Sequence, residues 1–138
     1  SYVNKYTSAD GLTTLAPADD AATANWGDGW RMPTKEDFEE LLENTTAKLD
    51  HDDETHNVNG IRLTSKKNGK VIFLPCTGEP GMSSMNDIYG LYWTSTLDAE
   101  ADGKAVFYGV NGATLDVCEI GKDSRCLGHI IRPVKAGE

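Results

Sequence analysis

The tripeptide Met32-Pro33-Thr34 leaves a folding chain little choice. The proline ring pushes Met32 out of helical geometry, and the threonine hydroxyl stands where a helix cap belongs. Behind it, Phe38, Leu41 and Leu42 fall at i, i+3 and i+4, while Glu36, Glu39, Glu40 and Glu43 take the remaining positions. This is one buried helical face and one solvated face, with Asp37 as a weaker variant of the capping-box acid. Upstream, residues 17–24 (PADDAATA) read as a short helix. Pro17 suits its first turn, and Asp19 and Asp20 complement its dipole. Between the two helices lie Trp26 and Trp30, separated by Gly27, Asp28 and Gly29. Glycines let the backbone turn tightly around the indoles, which are expected to plug the core where helices meet sheet.

Further on, the hydrophobic period changes to two. Residues 60–65 (GIRLTS) alternate, Asn68-Gly69 is a hairpin signal, and residues 71–74 form the return strand. Residues 75–89 read as a long irregular loop. Residues 91–96 (LYWTST) are rich in strand formers, residues 105–110 and 113–117 flank a second turn at Asn111-Gly112, and a last strand is expected over 127–134. A short strand and a turn at Asp10-Gly11 are expected in the lead-in. Helices precede antiparallel hairpins, so the expected class is α+β in a single domain over residues 1–138.

Charge narrows the partners. With 22 acidic against 13 basic residues the net charge is -9, which disfavours nucleic acid and anionic membrane surfaces. No apolar run approaches the ~20 residues that cross a bilayer, so no membrane insertion by this domain is expected. Ser1-Tyr2-Val3-Asn4 lacks the basic start and apolar middle of a signal peptide, and a start at Ser1 suggests a processed or trimmed chain.

Four stretches together carry a resemblance: LAPADDAATANWGDGWRMPTKEDFEELLEN, VNGIRLTSKKNGKVIFLP, GLYWTST and the closing HIIRPV. In that order they resemble the bacterial major paralogous domain (FISUMP-type) and the related Lcl C-terminal family. The resemblance implies a C-type-lectin-like fold: two helices packed on a small, mostly antiparallel twisted sheet, with a long irregular loop region projecting from one side. It also implies secretion or cell-surface display, and the family has no shared catalytic reaction. Trp30, Arg31, Pro33, Thr34, Trp93, Ser95, Arg132 and Pro133 match its recurring positions and are read as scaffold. Arg31 and Arg132 are expected to bond backbone carbonyls or an acidic partner at the helix–sheet junction.

The ligand-binding positions implied are those of the C-terminal hairpin. Tyr108, Asp116, Glu119, Lys122, Asp123, Arg125 and His129 occupy that neighbourhood, with Tyr89 and Tyr92 joining from the preceding loop. Aromatic and polar side chains on rigid strands make a binding patch at low entropic cost, and an ordinary solvated sheet face is the competing reading. Cys118 and Cys126 enclose seven residues, EIGKDSR, read as a hairpin tip. A bridge there would contribute about 2–3 kcal/mol, and a bridge and two unrelated thiols both remain open. Cys76 is read as a small buried residue. The His51–His56 segment (HDDETH) is read as a solvated acidic loop rather than a zinc site, and Glu79-Pro80-Gly81 with Asn86-Asp87 falls short of a lectin calcium site. No cofactor and no metal are expected. The expected function is non-enzymatic recognition or adhesion at the cell surface, through a glycan or protein ligand. The alternatives are an oxidoreductase of the sulfatase-modifying type using the paired cysteines, or a structural subunit of a pilus or surface assembly.

Overall fold

The computed structural model describes residues 5–7, 9–51, 59–76, 89–111, 116–125 and 129–136. The lead-in makes its turn at Asp10, whose backbone N–H donates to the Thr7 carbonyl, and Thr14 then bridges Thr96. Pro17–Asp19 is a single 3-10 turn, and helix α1 (Ala21–Trp26) starts only after it. Asp20 is therefore the cap of α1 rather than a member of its first turn. Its carboxylate accepts from the N–H groups of Ala22 at 2.9 Å and Thr23 at 3.0 Å. The same carboxylate accepts from Met32 N–H, at 3.0 Å on Oδ1 and 2.8 Å on Oδ2, and tethers α1 to β1 (Trp30–Arg31). Gly27 ends the helix with φ +91°, a conformation that favours glycine.

Helix α2 (Lys35–Glu43) begins where the Pro33-Thr34 pair places it. Thr34 Oγ1 accepts from Asp37 N–H at 3.1 Å, and the Asp37 carboxylate accepts from Thr34 N–H at 2.7 Å, which completes the capping box. Arg31 grips the same carboxylate with its two terminal guanidinium nitrogens and also donates to the Met32 carbonyl, as expected of a junction arginine. These bonds to Arg31, chiefly, hold the Asp37 carboxyl below its ordinary value, against the opposing effect of partial burial. A depressed acid stabilises the fold above its unfolded value of 3.8, and that stabilisation is lost as pH falls through the lower, folded value. Arg31→Leu is accordingly expected to cost about 1 kcal/mol at neutral pH, and wild type and variant should converge in urea midpoint as acid titrates Asp37. A gap that stayed constant through the acid range would mean that the pair adds nothing.

Strand β2 (Thr45–His51) follows α2 directly and was not expected. Residues 46–49 are all exposed, so their side chains carry no period of two. Strands β3 (Asn59–Ser65) and β4 (Val71–Pro75) form the expected hairpin, with Gly69 at φ +69° in the turn and Ile61 opposite Leu74. The sheet order is β2-β3-β4. A second sheet joins β5 (Tyr89–Leu97), β6 (Lys104–Asn111) and β7 (Asp116–Ser124), again antiparallel. The expected closing strand over 127–134 is a correction. Among its described residues only β8 (Val134–Lys135) is strand, paired with β1, while Ile130 runs parallel beside Tyr92 through backbone bonds to Leu91 and Trp93.

The fold class is α+β, with two α-helices and small antiparallel sheets among the described residues. Its core has two parts, one on each face of β5 and β6. Phe38 of α2, Ile61, Leu63, Leu74, Tyr92 and Tyr108 pack on one face. Ala22, Met32, Trp93, Leu97, Ala105 and Phe107 pack on the other, together with Tyr6. Tyr92 opposes Tyr108, and Trp93 opposes Phe107, so strand alternation distributes the two pairs to the two faces. No helix among the described residues is long and apolar enough to cross a membrane.

Candidate functional site

The positions expected to bind ligand are distributed by this double-sided core. Tyr92 is 1% exposed and Tyr108 2% exposed, so neither can touch a ligand, which corrects that reading. An antiparallel sheet often leaves one face to solvent, but here both faces of β5 and β6 are covered. The Tyr92 hydroxyl donates to the Pro75 carbonyl at 2.7 Å, and burial pushes the phenol far up from its ordinary value. Tyr108 stacks on Phe38 with ring centroids 4.4 Å apart. Tyr89 stays exposed at 43%, and it pairs with Asn111 at one end of β6. Asp116 is at that same end, opposite Asn111, whereas Arg125 bonds the Gly103 carbonyl beyond the other end. Eight residues of β6 separate the two groups, roughly 24 Å at strand rise. Glu119 lies between them in β7, opposite Tyr108.

Arg125 and His129 do come together. They line a cavity of about 280 Å³ with Trp93, Met32, Leu15 and Thr94. The His129 ring lies 4.4 Å from Trp93 and 5.0 Å from Phe107, a packed edge of the second core rather than an outward patch. Residues 118–124 are strand, so the hairpin tip on which the Cys118–Cys126 bridge rested is not there. Cys126 itself, residues 52–56 of the acidic loop, the 77–88 part of the long loop and Gly112 of the second turn lie outside the described residues. Cys76 is buried, as expected. Among the described residues no group of three His, Cys, Asp or Glu side chains could hold a metal.

Two surface features were not legible as sites. The first is Trp26, expected in the core and instead 58% exposed, which corrects that reading. Residues 24–29 are all exposed, so the end of α1 is open to solvent. Trp30, half-buried, meets Trp26 edge to face with centroids 5.2 Å apart. In such a pair at least one face of the Trp26 indole stays open, whichever ring presents its edge. The Lys135 ammonium stands over the Trp30 ring at 5.8 Å. The only sequence signal is compositional: Asn25, Gly27, Asp28 and Gly29 surround Trp26 with polar or absent side chains.

The second feature is a cleft of about 360 Å³ between α2, β4 and the C-terminal segment. Phe38, Leu41, Ile72, Leu74 and Val134 form its apolar lining. Asp37, Arg132 and Lys135 stand at its rim, and Pro33 and Pro133 complete its lining. Its residues come from three separate elements, so no local motif announces it.

Comparison with protein-family models, with curated proteins and with solved structures returned no match to this chain.

Proposed function

We propose that this domain is a recognition module without chemistry of its own, displayed at a cell surface, which holds a glycan or protein ligand against the Trp26–Trp30 pair. The observation that carries this reading is the exposure of Trp26, at 58%, in a chain that buries its other described tryptophans more deeply. A large indole left in water costs solubility and contributes little to folding, and such residues concentrate at interface hot spots. The order of WRMPT, YWTST and IRPV supports a C-type-lectin-like, FISUMP-type assignment, in which a rigid helix–sheet platform presents a variable rim. Here the platform is built by the Asp20 tether and the α2 capping box, which hold the tryptophan-bearing turn from both sides. The ligand-contacting residues then shift from the hairpin to the α1–β1 turn.

Trp26→Ala tests it. Thermal stability should change little, because the side chain is exposed, while binding on a glycan array and to intact cells should fall by at least about tenfold. A variant that binds as wild type does would move recognition to another surface.

A further inference from the structure

The cleft between α2 and the C-terminal segment combines features that the recognition reading does not use. Its accessible floor is apolar, built by the half-buried Leu41, Ile72 and Val134 over the buried Phe38 and Leu74. Its volume of about 360 Å³ stands at the small end of ligand pockets, which run from roughly 300 to 1,000 Å³. That is room for one ring or one short branched chain. The rim carries Asp37, Arg132 and Lys135, but the Asp37 charge is already matched by two guanidinium nitrogens of Arg31. Arg132 and Lys135 are both exposed, and among the described residues neither lies within ion-pair distance of a carboxylate. Two cations without an acidic partner are unexpected in a chain whose net charge is -9. Arg132 donates to the Phe73 carbonyl at 3.4 Å, the long end of the hydrogen-bond range, and a guanidinium has further N–H groups to offer a carboxylate while it keeps that bond.

We infer that this cleft binds a small amphipathic carboxylic acid, with its ring or short chain on the half-buried Leu41, Ile72 and Val134 and its carboxylate between Arg132 and Lys135. The free acid is favoured over the end of a peptide chain for a geometric reason. A peptide adding beside β4, an edge strand among the described residues, would need the Phe73 carbonyl, and Arg132 already donates to it. The inference goes beyond the recognition surface and does not depend on it, since Arg132 serves the cleft and Trp26 is no part of its lining.

Titration of the whole chain with hydrocinnamate, followed by amide proton–nitrogen correlation NMR, tests it. The acid should shift the backbone amides of Leu41, Ile72 and Val134, and added salt should weaken it. The neutral amide of the same acid should bind at least about tenfold more weakly, the factor expected when a charge-assisted bond is lost. Arg132→Gln alters an exposed side chain and should fold; it should erase the preference for acid over amide, and Lys135→Gln should reduce it. Trp26→Ala should leave the titration unchanged, which separates this result from the fate of the glycan or protein reading. Equal binding of acid and amide, or no shifts at the cleft with millimolar acid, would overturn the inference. So would binding of a peptide with a C-terminal phenylalanine when hydrocinnamate itself does not bind.

Discussion

Replacing Phe38 by alanine is expected to lower the unfolding free energy by about 4 kcal/mol, in the range of large aromatic truncations in cores. The ring is 3% exposed and lies nearly parallel to Tyr108, at an interplanar angle of 7°. It is the buried residue by which α2 is keyed to β6 and to the β3–β4 hairpin. Truncation removes its burial and its stacking, and the rigid strands cannot collapse to fill the space. The loss would be a large share of the 5–15 kcal/mol typical of a whole domain, so the variant should melt far below wild type. Leu42→Ala, on the half-buried flank of the same helix, should cost clearly less. Urea unfolding at neutral pH measures both. A loss under about 1 kcal/mol at Phe38 would mean that α2 is not held by this ring.

Asp20→Ala should cost about 3 kcal/mol, by a different route. One part is the lost cap of α1, and the larger part is the Met32 N–H, left buried without its acceptor. Asp20 is 4% exposed, so water cannot replace the carboxylate without opening the α1–β1 turn. Asp20→Asn separates the two parts. Its amide oxygen can still cap Ala22 and Thr23, but the amide nitrogen faces Met32 N–H, and an intermediate loss is expected. Because α1 ends in Trp26, both variants should weaken the near-ultraviolet signal of the Trp26–Trp30 pair. If Asp20→Ala unfolded no more easily than wild type, the tether between α1 and β1 would be incidental.

These two residues mark how far local chemistry could be read. Thr34, Pro33 and Asp37 specify a helix start within one turn of chain, and α2 begins where they place it. The Asn68-Gly69 turn likewise brought β3 and β4 together, since its signal and the two strands it joins are adjacent in sequence. Asp20 was legible as helix-favouring acid, but its bond to Met32 spans twelve residues and has no local mark. Strand β2 escaped notice because its exposed side chains show no alternation, and its pairing with β3 depends on backbone alone. The candidate sites were least legible. Tyr92 and Tyr108 have the composition of a binding face and the burial of a core, and the cleft exists only where α2, β4 and residues 132–135 converge.

The order of amino acids determined by itself where helices start, where hairpins turn and that the class is α+β, because caps, glycine turns and hydrophobic periods act over a few residues. Tertiary packing alone decided which aromatics face water. Burial of a strand residue depends on what lies over that face, and α2 and the β3–β4 hairpin cover one side of β5 and β6 while α1 and the C-terminal segment cover the other. The same packing left the end of α1 open, and so Trp26, the residue that reads most like core, stands largely in solvent.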